Sequence, residues 1–139
     1  MKFTNVIWLF PFAVLAHNLE ESIWMPIFWR QHALQIPYTA LEFRIAAVGL
    51  AFLAFWITYL AAKNGARSKS GILLFLYCGA MWLNAWWHVG VSIYFRGYAP
   101  GVVTAVLIIL PVTSCLLLQG WRLKSAPGNA PIPADPIGK

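Results

Sequence analysis

His17-Asn18-Leu19-Glu20-Glu21 sets one imidazole and two adjacent carboxylates inside an apolar run covering residues 4–24. A hydrocarbon core of about 30 Å takes roughly 20 residues to cross, so how these five residues are read decides what kind of protein this is. A carboxylate resists insertion by roughly 2.5–3.5 kcal/mol near the centre of a membrane helix, and by less toward its ends. On a helix turning about 100° per residue, His17, Glu20 and Glu21 share one arc, and Trp24 extends the same face. A plainer reading takes Glu21 alone as an interfacial residue reaching for water. That reading does not extend readily to three titratable groups on one face, which by default mark a functional site inside a membrane.

The rest of the chain supports a membrane reading. Its 139 residues are 60% hydrophobic, 16% aromatic and only 10% charged, and the mean hydropathy is +0.68, unlike a soluble domain. The net charge of +6 raises nucleic-acid binding as an alternative. The basic residues are instead scattered at the ends of apolar runs, which fits the positive-inside pattern and excludes nucleic acid as a partner class. Cys78 and Cys115 each sit within an apolar run, with no Cys-x-x-Cys or Cys/His ladder, so packed thiols are expected rather than a disulfide framework.

Four runs are long enough to span, at residues 4–24, 40–62, 71–94 and 102–119, giving an all-α integral membrane four-helix bundle as the expected fold. These form one transmembrane domain over residues 1–124, followed by a Pro/Gly-rich cytoplasmic tail, 125–139, that is expected to be disordered. Lys2 followed by an apolar core and Val14-Leu15-Ala16 also resembles a secretory signal peptide, but Pro11 and the bulky aromatics of the run argue against one. Pro26 and Pro37 bracket residues 27–36, an aromatic and basic mixture that predicts a short headgroup-level segment containing His32. Pro111 predicts a kink in the fourth helix.

Lys2, Lys63, Arg67, Lys69, Arg122, Lys124 and Lys139 fall on one side of these spans, against Arg30, Arg44 and Arg96 on the other. The positive-inside rule then places both termini in the cytoplasm. In that topology the first and third helices both run outward. His17 to Glu21 and Asn84 to His88 each fall roughly 20–26 Å along their helices, at one depth in the outer half. Asn84 and His88 form an i, i+4 pair on one face. Glu42 and Arg44 enter the second helix from the same side, either paired or facing the polar stripe. Tyr98-Ala99-Pro100-Gly101 closes that end with residues suited to a tight turn.

His17-Asn18-Leu19-Glu20-Glu21, the further histidine His88, and Tyr98-Ala99-Pro100-Gly101 occur in that order. Together they resemble the motifs of the HXXEE family of small bacterial integral membrane proteins, over about residues 10 to 120. The resemblance implies a multi-pass protein of the bacterial cytoplasmic membrane. It brings no assigned activity, so the chemistry has to be argued from the residues.

Two neighbouring carboxylates in a low-dielectric site do not easily both ionise. Glu20 and Glu21, with His17 or His88 in support and Asn84 and Tyr98 as hydrogen-bonding partners, suit acid–base work on a lipid-soluble, isoprenoid-like substrate, such as isomerisation or cyclisation. Trp24, Trp82, Trp86, Trp87 and Glu42 are the candidates to line its pocket; an aromatic belt at the membrane interface is the plainer account of the tryptophans. His17, Glu21 and His88 also make a two-histidine, one-carboxylate set of the kind that binds zinc or non-haem iron, so metal-free and metal-assisted catalysis both stand. From a different class, a proton or metal-ion transporter or an accessory subunit of a membrane complex uses the same residue types. Membrane lipid is the expected surrounding partner, and a bundle this small leaves room for a second copy to close its pocket.

Overall fold

The computed structural model describes residues 6–37 and 39–125. Lys2 and the expected tail lie outside them, apart from Ser125 at the end of the last helix. Among the described residues the chain is all helical. Helix α1 spans Leu9–Gln31, α2 Ala40–Asn64 and α3 Lys69–Tyr94; α4 begins as α-helix at Val102–Thr104, widens to a π-helix over Ala105–Ile109, and returns to α-helix over Leu110–Ser125. Each helix packs on the next, and α4 packs back on α1. Three of them, α2, α3 and α4, are long and apolar enough to cross a membrane. The fourth, α1, carries the His/Glu stripe.

Local chemistry explains the helix ends. Thr39 and Glu42 form a reciprocal capping box at the start of α2, which satisfies two otherwise unpaired backbone donors. The Ser68 hydroxyl accepts from the Gly71 amide at the start of α3. Helix α1 stops in a Schellman arrangement: Ala33 adopts φ 49°, and the Leu34 and Ala33 amides return to the carbonyls of Trp29 and Arg30. Helix α3 stops the same way, with Arg96 at φ 52° and the Gly97 amide bonded to the Ser92 carbonyl.

The first half of the expected interfacial segment 27–36 is a continuation of α1, which passes through Pro26 and ends at Gln31. Proline lacks an N–H, so the carbonyl four residues earlier, at Ser22, loses its helical donor. Arg44 from α2 supplies one, its Nε donating to Ser22 O at 3.2 Å. Arg44 thus neither pairs with Glu42 nor faces the polar stripe; it repairs the α1 ladder. At Pro111 the disturbance is absorbed differently, by the wider π turn immediately before it.

The apolar core, including Ile7, Phe10, Ile57, Leu74, Ile109 and Leu116, fills the half of the assembly toward the α2–α3 turn. Asn18 is buried and locks α1 to α2 by donating to Ala47 O at 2.7 Å. Cys78 is buried and Cys115 exposed, and both are free thiols.

Replacing Arg44 by Met is expected to lower stability in detergent by about 1 kcal/mol, the usual net worth of one hydrogen bond. In a Pro26→Ala background, where Ser22 O regains its own helical donor, the same substitution should cost much less. Thermal unfolding of the four proteins in this cycle checks the assignment; equal losses in both backgrounds would contradict it.

Candidate functional site

The half of the assembly opposite the apolar core is where the polar residues meet. The middle of α1 supplies His17, Glu20 and Glu21, the last turns of α3 supply Asn84 and His88, and the turn into α4 supplies Tyr98, Gly101 and Thr104. That turn is what the Pro-Gly pair makes possible. Gly101 lies at φ 85°, and a Cβ on it would stand 2.9 Å from His17 Cε1, 3.0 Å from His88 Cε1 and 3.1 Å from Glu21 Cγ. Absence of a side chain here is therefore a condition for the two imidazoles to approach each other, as well as for the backbone angle.

The two carboxylates are held very differently. Glu20 is saturated with donors. Its Oε1 accepts from the Tyr98 hydroxyl at 2.6 Å and the Gly101 amide at 3.2 Å; its Oε2 accepts from the Thr104 amide at 2.9 Å and the Thr104 hydroxyl at 2.6 Å. Gly101, at the N-cap of α4, has no side chain to offer the unpaired amides of the first turn. Glu20 reaches across from α1 to provide that cap, with its negative charge at the positive end of the helix. Partial burial and the bond to Glu20 push the Tyr98 phenol pKa upward, so Tyr98 stays a donor.

Glu21 faces the opposite way, toward the imidazoles. Its Oε1 lies 3.0 Å from His88 Nε2 and its Oε2 lies 3.9 Å from His17 Nε2. Both histidines are buried, and their rings meet edge to face with centroids 4.9 Å apart. The Asn84 Nδ2 amide sits 3.1 Å from His17 Nε2 and 3.2 Å from His88 Nε2. One ligand atom from each of His17, Glu21 and His88 can be chosen so that all lie within 4.8 Å of one another.

All six candidate catalytic residues, His17, Glu20, Glu21, Asn84, His88 and Tyr98, are thus brought together. The candidate pocket residues are not. Glu42 is spent on capping α2 through Thr39, because a first-turn glutamate after threonine finds nearer amides than any site residue. Trp82 donates to Ser114 Oγ at 3.1 Å, joining α3 to α4, and Trp87 is 69% exposed on the outer face of α3. Trp24 alone stays near the site, edge-on to the Tyr98 ring with centroids 6.3 Å apart. These two rings, with Ile27, Phe28, Gln31 and Pro100, line a cleft of about 210 Å³ beside the centre. Sequence reasoning missed Thr104, which carries no motif of its own, and treated Gly101 as a turn residue only. His32 lies tilted over Phe28 and edge-on to Phe95 rather than joining the cluster.

Comparison with known proteins identifies the family of the chain. A family model described as "Protein of unknown function with HXXEE motif" matches residues 8–116, a stretch containing every residue of the cluster. A protein of Bacillus subtilis (strain 168), described as "Uncharacterized protein YrkK", is 32% identical over 112 residues, covering 79% of this chain and 71% of the relative. No solved structure matches the chain.

The unequal surroundings of the carboxylates predict unequal costs of removal. Glu20→Gln should lower stability by about 2–4 kcal/mol, since hydrogen bonds to a charged group are worth roughly 1.5–3 kcal/mol each and are not additive. Glu21→Gln should stay within about 1 kcal/mol of the parent, a site residue contributing little to the fold. Thermal unfolding of both variants reads the difference directly, and equal losses would contradict the division.

Proposed function

The chain belongs to the HXXEE family, and we propose that it is a multi-pass membrane enzyme in which His17, Glu21 and His88 hold a divalent metal ion, zinc or ferrous iron, and act on a small lipid-soluble substrate. The observation that carries this reading is the convergence of two imidazoles and one carboxylate at the centre. The Nε2 atoms of His17 and His88 and both oxygens of Glu21 converge, with one ligand atom from each residue within 4.8 Å of the others, and the Asn84 amide lies against both imidazoles. Acceptor atoms gathered this closely are stabilised by a cation or a proton among them. Two imidazoles and one carboxylate match the ligand preferences of zinc and non-haem iron and leave coordination positions open.

Such an ion supplies Lewis-acid activation of a bound water or of a substrate oxygen. The chain's own residues do the rest. Glu20 ties α1 to the start of α4 and holds the Tyr98 hydroxyl at the edge of the cleft. Trp24, Ile27 and Phe28 give the cleft an apolar wall, and Gln31 gives it a polar rim, a combination suited to an amphiphile.

The membrane setting is supported by the way α1 is turned. His17 and Asn18 are buried, while Phe12, Leu19 and Ile23 are more than half exposed. The helix hides its polar groups and presents apolar ones outward, the arrangement that lets a helix with titratable residues sit in lipid. We read α1 as a fourth span beside α2, α3 and α4, and the Lys/Arg bias favours an outer-half position for the cluster. A conducting path for ions needs polar groups at both depths. The other half here is filled by residues such as Ile7, Phe10, Ile57 and Leu74, which favours a closed catalytic centre over a transporter.

Elemental analysis of protein purified from cells supplied with zinc and iron tests the reading. One ion per chain is expected in the parent, with loss of nearly all of it in His17→Ala, Glu21→Ala and His88→Ala that remain folded by circular dichroism. A parent protein that carries no ion and takes up none on titration would overturn the metal assignment.

A further inference from the structure

We infer that Thr104 is a positioning residue whose hydroxyl, wedged between Glu20 and His17, holds the His17 ring as the tautomer with hydrogen on Nδ1, so that Nε2 enters the centre as a bare lone pair. The inference deepens the metal reading above and rests on it only for the affinity measurement described below.

The argument is an accounting of hydrogens. A threonine hydroxyl has one hydrogen to give and two lone pairs to receive. Thr104 Oγ1 lies 2.6 Å from Glu20 Oε2 and 3.2 Å from Gly101 O. The carboxylate oxygen is both nearer and charged, and bonds of that kind are the shorter and stronger ones, so the hydrogen goes to Glu20. His17 Nδ1 lies 2.9 Å from the same hydroxyl oxygen. With the hydroxyl hydrogen already committed, that contact is a bond only if Nδ1 carries a hydrogen and donates it. A neutral imidazole protonated at Nδ1 has a free acceptor at Nε2, and there the Asn84 amide nitrogen stands ready to donate at 3.1 Å.

Both ends of the ring therefore specify one tautomer. The opposite tautomer would turn Nε2–H against the Asn84 N–H and would draw the Thr104 hydrogen away from Glu20. The wedge is also firmly seated, because the Thr104 amide is bonded at 2.9 Å to the very oxygen that its hydroxyl serves.

This gives the first carboxylate of the His-x-x-Glu-Glu motif, Glu20, a role beyond capping a helix. Metal-binding histidines almost always donate their other ring N–H to a carboxylate, carbonyl or water, and losing that partner typically costs 10–100-fold in affinity. Here Glu20 acts on His17 through the Thr104 hydroxyl instead of touching the ring directly.

Nitrogen-15 NMR of histidine-labelled protein reads the tautomer without any metal present, at a pH where the rings are neutral; His17→Gln assigns the signals. The parent and Thr104→Ser should show His17 protonated at Nδ1 and bare at Nε2. Thr104→Val, which keeps the shape and removes the hydroxyl, should show a mixture of tautomers or a shift to Nε2–H. Cobalt(II) titration followed by visible absorption should then give an affinity about 10–100-fold weaker in Thr104→Val, restored in Thr104→Ser. A parent His17 protonated at Nε2, or a Thr104→Val protein with unchanged tautomer and affinity, would overturn the inference. Because the parent spectrum alone can decide against it, the test survives a Thr104→Val protein that does not fold, for which Thr104→Ala is the substitute. A parent with the expected tautomer that binds no cobalt would count against the metal reading and leave the role of Thr104 standing.

Discussion

The carboxylate of Glu20 spans the gap between α1 and the first turn of α4, and much of the remaining architecture depends on that bridge. Helix α4 begins at a glycine that has no side chain to cap it, and it needs that glycine because a Cβ would strike both site histidines. The cap must therefore come from elsewhere. Glu20 supplies it with both oxygens, and in doing so fixes Tyr98 at the mouth of the cleft and Thr104 against His17. One charged group placed deep in an apolar helix is costly; four donors converging on it offset that cost, and the same four donors hold the centre in shape.

The second carboxylate has no such duty. Glu21 is the neighbour of Glu20 in sequence, yet the 100° step between successive helical residues turns it from the α4 turn toward α3, where His88 Nε2 lies 3.0 Å away. Adjacent acidic residues thus need not share a proton: one is committed to backbone and hydroxyl donors, and the other is left facing imidazoles. A shared carboxylate pair, one of the two chemistries that the sequence leaves open, finds less support in this arrangement than a ligand set does.

Much of this was legible in the sequence, for identifiable reasons. Charge is so expensive in an apolar run that His17, Glu20, Glu21, Asn84 and His88 announce themselves, and helical periodicity places each pair on one face. Helix ends were harder. Pro26 reads as a stop, but its lost hydrogen bond is replaced by Arg44 from another helix, a tertiary contact that no local rule contains. Glu42 read as a pocket residue because it stands near the polar end, whereas a threonine three residues earlier claims it as a cap. The tryptophans could not be sorted by type alone: Trp82 is engaged by Ser114 and Trp87 looks outward. Thr104 was invisible for the plainest reason, since a single hydroxyl in an apolar helix acquires meaning only from the two groups on either side of it.

X-ray absorption at the zinc edge, on zinc-loaded parent, Glu20→Gln and Glu21→Gln proteins, tests most directly whether the two carboxylates divide the work between capping and ligation. The parent should show two imidazoles and a carboxylate oxygen at about 2.0–2.2 Å. Glu20→Gln should keep that shell, and Glu21→Gln should lose the carboxylate oxygen while keeping both imidazoles. A first shell that changes with Glu20 and not with Glu21, or that contains fewer than two imidazoles in the parent, would contradict the account.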